Sequence, residues 1–64
     1  MTPTKKELEE YAKEARDVAQ KMLRLSVDLA DAAEGRISTT DCDISGTYAA
    51  ANFVRVYVPI IERF

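Results

Sequence analysis

Asp41-Cys42-Asp43-Ile44-Ser45-Gly46 is the stretch whose residue types and spacing come nearest to chemistry. Oxygen-bearing side chains at its first, third and fifth positions, with glycine at the sixth, form the opening half of a calcium-binding loop. Hard cations take oxygen ligands, and the glycine permits the sharp turn between them. Asp41, Asp43 and Ser45 would be the ligands. The second half departs from that pattern: Tyr48 stands where a small aliphatic belongs, and Asn52 stands where a bidentate glutamate has to close the coordination sphere. A competing local role exists for the same segment. Ser38-Thr39-Thr40-Asp41 has the spacing of a helix-capping box with aspartate in the acidic slot. The two roles exclude each other. The incomplete loop favours the cap and leaves a metal-binding module on Asp41–Gly46 as the alternative.

Other reactive groups are sparse. Cys42 is the single cysteine and the chain has no histidine. Nucleophilic catalysis then lacks its usual base, the usual zinc sites lack ligands, and an internal disulfide is impossible. Cys42 reads as a small buried apolar residue. Eleven acidic residues are present, but no pairing among them is specified by spacing, and the expectation is that the chain is not an enzyme and needs no cofactor. Asp28, Asp31 and Glu34 recur at three-residue intervals. That spacing predicts a solvated acidic edge along a helix, with an epitope for a basic partner as its sharper reading. Tyr11, Tyr48 and Tyr57 suit either interface anchoring or packing with the hydroxyl in water.

The element that must position most of these groups runs from Thr4 to Glu34. Leu8, Ala15, Met22 and Leu29 share one heptad position; Tyr11, Val18, Leu25 and Ala32 share the position three later. An apolar a/d seam sustained this long specifies a coiled-coil-like helix. Beside it runs a register of small residues, Ala12, Ala19, Ser26 and Ala33, which would let a neighbouring backbone approach closely. Thr4-Lys5-Lys6-Glu7 is a capping box at its start. Glu9–Lys13 and Asp17–Lys21 are i,i+4 pairs on the outer face, each worth about 0.2–0.5 kcal/mol. In the C-terminal half Leu23, Val27 and Ala30 add a second stripe outside the seam, so this half needs burial on two sides. Gly35 suits the left-handed position that ends a helix.

A second helix is expected over about 39–64, so that the connection is short and the helices run antiparallel. Its stripes are Cys42, Gly46, Ala49, Phe53, Val56 and Ile60, and Ala50, Val54, Tyr57, Ile61 and Phe64. Polar residues collapse onto Asn52, Arg55, Pro59 and Glu62. Pro59 on that wet line predicts a kink near 59. Phe53 to Val58 is also rich in β-branched and aromatic residues, as strands are, but Ala49-Ala50-Ala51 and the helical spacing of the polar line favour helix. Counting outward from the turn places Gly46, Ala49 and Ala50 opposite Ser26 and Ala19, and the bulky 53–61 stretch opposite Leu8–Ala15. Gly46 inside a helix costs about 1 kcal/mol relative to alanine, which close backbone approach would justify.

Sixty-four residues make one small domain, and a chain this size buries only roughly 60% of its unfolded surface. With no disulfide or zinc to compensate, oligomerisation is the remaining route. A net charge of −2 argues against a nucleic-acid partner, and no apolar run is long enough for a membrane span. The N-terminal Thr-Pro-Thr-Lys-Lys-Glu does not resemble a signal peptide, so the expected location is cytoplasmic. The fold class that follows is all-α: residues 1–64 as a single antiparallel helical hairpin, dimerising into a four-helix bundle. The expected interface residues are Leu23, Val27, Phe53, Val56, Tyr57, Ile60, Ile61 and Phe64. The expected function is a small non-catalytic protein–protein interaction module, of the regulator or inhibitor kind, that binds another protein.

Overall fold

The computed structural model describes residues 2–64, and α1 spans Lys5–Ala33 of them. Its start is the capping box read from the sequence. Thr4 Oγ1 accepts from the Glu7 amide at 3.1 Å, and Glu7 Oε1 accepts from the Thr4 amide at 3.0 Å, satisfying two helix-end donors reciprocally. Its end is equally local. Gly35 takes φ 76°, the left-handed conformation that costs a glycine nothing. The chain reversal lets the Arg36 amide donate to Asp31 O at 2.9 Å and the Gly35 amide donate to Ala32 O at 3.1 Å. These are the two bonds of a Schellman ending. Arg36 Nη1 also reaches Asp31 Oδ1 at 3.2 Å.

The second helix begins later than expected. Ser38 caps only a single 3₁₀ turn, Thr39–Asp41, accepting from the Thr40 amide at 3.3 Å. The turn does not grow into the helix because Cys42 leaves it in an extended conformation (ψ 134°). The next residue is held elsewhere: the Asp43 amide donates to Asp28 Oδ2 of α1 at 2.9 Å. A tertiary hydrogen bond therefore overrides the local cap signal. Helix α2 covers Ser45–Val56, and a short α3 covers Val58–Ile61 after a break at Tyr57. The break lies within the turn between Arg55, whose carbonyl loses its i+4 donor, and Pro59, whose ring crowds that carbonyl. Among the described residues there is no strand, and Phe53–Val56 is helical.

Helices α1 and α2 lie antiparallel. Gly46 packs near the middle of α1, while Tyr57 and Phe64 reach back to Tyr11, with ring centroids at 5.8 and 5.9 Å. A Cβ on Gly46 would stand 2.7 Å from the Lys21 carbonyl carbon and 2.8 Å from the Met22 nitrogen. Close backbone approach is thus the reason for a glycine there. Its partner is the Lys21–Met22 backbone, not the small register at Ala19 and Ser26, which stays exposed.

Only one line of the expected a/d seam is covered. Tyr11, Val18, Leu25 and Ala32 are buried or half-buried, and Leu25 is the one buried apolar side chain among the described residues. Leu8, Ala15, Met22 and Leu29 are exposed. The molecule is a rod with extents of 49 × 18 × 12 Å. Its radius of gyration, 15.1 Å, compares with about 11 Å for a compact domain of this length. No helix of the described residues is long and apolar enough to cross a membrane.

Candidate functional site

Asp28 is the most constrained polar group in the structure. It lies one helical turn from Leu25 on the side of α1 that meets the loop before α2, and only 5% of its surface is exposed. Oδ2 accepts from the Asp43 amide, and Oδ1 is 3.2 Å from Arg24 Nε, whose own side chain remains largely in water. The sequence reading of Asp28 as part of a solvated acidic edge is corrected by this burial. Three-residue spacing winds slowly around a helix, so Asp28, Asp31 and Glu34 start on one side and drift off it. Asp28 is a latch between α1 and the connecting loop, Asp31 pairs with Arg36 at the helix end, and Glu34 is exposed. The signal for this was present in the heptad: Asp28 sits immediately beside the Leu25 line that the hairpin covers.

The residues of the calcium-loop reading are brought close in sequence but engaged in other work. Asp43 Oδ1 accepts from the Ser45 amide at 2.9 Å, an Asx turn that leads the chain into α2. That bond holds the Asp43 carboxyl below its ordinary range, with Arg24 and Lys21 adding a smaller favourable field. Asp41 closes the 3₁₀ turn and is exposed. Among the described residues no three His, Cys, Asp or Glu side chains gather in a geometry that holds a metal ion. Cys42 is a half-buried free thiol.

At the other end of the rod Tyr11 is the hub. Its ring meets Tyr57 edge-on and stacks on Phe64, and Tyr57 stacks in turn on Phe53 at 5.2 Å. The Tyr11 hydroxyl donates to Glu7 Oε2 at 3.4 Å. Partial burial, followed by the nearby Glu7 charge, pushes the Tyr11 phenol up, and burial does the same to Tyr57. The Thr4 capping bonds pull Glu7 down. The shifts at Glu7, Tyr11, Asp43 and Tyr57 all move away from neutral pH, which is the opposite of what a general acid or base requires.

The expected interface residues divide into two groups. Phe53, Tyr57, Ile60 and Ile61 are half-buried, and the first three are engaged along the α1 side within the hairpin itself. Leu23, Val27, Val56 and Phe64 are exposed, with Leu23 the most open at 64%. Tyr48 is exposed at 69% and makes no ring contact with Tyr11 or Tyr57. The structure adds a line absent from the expected interface: Leu8, Met22, Leu29 and, from α2, Val54 are open to solvent. The periodicity identified this line correctly as apolar. Which of the two seam lines α2 would cover depended on the Gly46 contact.

No protein-family model, no curated protein and no solved structure matches the chain.

Proposed function

We propose that this chain is a small non-catalytic protein–protein interaction module, of the regulatory kind, whose working state is a homodimer of hairpins forming a four-helix bundle. The observation that supports it is the surface left over. The chain exposes 5022 Å², whereas a compact monomer of its 7.2 kDa exposes about 4,100 Å². The excess, about 900 Å², is close to the roughly 800 Å² that each partner contributes to a standard interface. Large apolar side chains such as Leu8, Leu23, Leu29 and Val54 are among the open ones. Burying one such side chain is worth roughly 1.5–3 kcal/mol, and contiguous exposed apolar patches mark interaction surfaces. Twofold pairing is the commonest way for one surface to cover another like it.

Sedimentation equilibrium at micromolar concentration tests the proposal. A dimer is the expected result. A monomer with a sharp cooperative melt would overturn self-association and leave a foreign protein as the occupant.

A further inference from the structure

The two flanks of the α1–α2 contact line differ in polarity. One carries Glu14, Lys21 and Asp28 from α1, and Glu14 and Lys21 share a groove there with Asn52 of α2. Phe53 faces α1, so helical spacing puts Asn52 and Val54 on opposite sides of it. Val54 therefore falls on the second flank, beside the Leu8, Ala15, Met22 and Leu29 line, which carries no charge along its length.

We infer that this uncharged flank is the face on which a second copy of the chain seats, antiparallel, with α1 against α1. The inference rests on the self-association reading above and assigns it a surface. The occupant is fixed by area and by length. The excess surface matches one half of a standard interface, and a face that follows a rod 49 Å long is covered along its length by another such rod. A twofold axis perpendicular to α1 sets the Met22 line of each copy against the other. It also brings α2 beside its counterpart through Val54, closing the bundle on that flank. Ala12 and Ala19, next to the line, allow the helices to approach to about 8 Å. The polar flank stays in water. Phe53 and Tyr57, which the sequence alone placed in the interface, remain in the hairpin's own packing.

Isotope-filtered nuclear Overhauser spectroscopy on an equal mixture of carbon-13-labelled and unlabelled chain reads the interface directly. The expected result is intermolecular contacts at the Leu8, Met22, Leu29 and Val54 methyl groups and none at Tyr48. Met22→Glu should weaken dimerisation roughly 10- to 100-fold, while Tyr48→Glu, on the far side of α2, should change it less than about threefold. A dimer whose intermolecular contacts centre on Tyr48, Val56 or the Lys21 flank would overturn this face while leaving self-association standing. A chain that stays monomeric at millimolar concentration would overturn both.

Discussion

Asp28 shows how much a single buried carboxylate does in a chain with so small a core. It is the acceptor that holds the Asp43 amide, and the loop's path from the 3₁₀ turn into α2 depends on that bond. Asp28→Ala leaves the amide without its partner and should cost roughly 1–3 kcal/mol in urea denaturation. Asp28→Asn keeps an acceptor and loses only the pairing with a mostly exposed Arg24, so its cost should stay below about 1 kcal/mol. Glu34→Gln, at an exposed site, should fall within about 0.5 kcal/mol of the parent.

Titration acts at the same scale. The folded-state values of Glu7 and Asp43 are depressed from their ordinary 4.5 and 3.8. Their stabilisation is therefore complete above those values and is lost as pH falls through the lower, folded ones. Tyr11 and Tyr57 are raised above 10.0, so their contribution is complete below that value and is lost as pH rises through the folded ones. The melting temperature contributed by these groups should be flat between about pH 5 and pH 9 and decline on both sides. The acid limb should be shallower in Glu7→Gln, as followed by circular dichroism melts.

At the scale of elements, the hairpin is registered by one glycine and interrupted by one proline. Gly46→Ala gains about 1 kcal/mol of helix propensity, but the new methyl group would meet the Lys21–Met22 backbone, which cannot move aside as a side chain would. Overpacking of this kind costs about 1–3 kcal/mol, so the net change should be destabilising, and chemical denaturation reads the sign directly. Pro59→Ala should act in the other direction. Restoring the N–H removes the reason for the break at Tyr57 and lets α2 continue into α3. Helical signal should rise, with stability unchanged or increased. A destabilised variant with unaltered helicity would mean that the offset at Tyr57 serves the stacking of Tyr57 on Phe53.

The whole molecule is a rod with a single buried apolar side chain among its described residues. Its surface burial is about half of what the extended chain exposes, below the roughly 60% typical at this length. A structure with so little interior should draw its stability from association. The melting temperature should then depend on concentration, because folding and pairing share one equilibrium. A tenfold rise in concentration is worth about 1.4 kcal/mol, or roughly 5 °C for a unit of two such chains. A melting temperature independent of concentration over two orders of magnitude would contradict this.

By itself the sequence determined the long first helix with both its ends, and the interruption of the second. The Thr4–Glu7 capping box, the Gly35 ending and the interruption near Pro59 all rest on bonds within a few residues, and local bonds are legible from local spacing. It also pointed to an antiparallel hairpin with the aromatic end of α2 near Tyr11, although the connection, residues 34–44, is longer than the one its cap signal predicted. The tertiary structure decided the rest. Ser38-Thr39-Thr40-Asp41 has the letters of a cap that starts a long helix, yet Asp28, distant in the chain, draws the Asp43 amide away and delays α2 to Ser45. The a/d seam marks two apolar lines of nearly equal weight. The close approach of Gly46 to the Lys21–Met22 backbone fixes which line α2 covers. A seven-residue beat says that a face is apolar; only the position of a second backbone says whether that face is interior or left open.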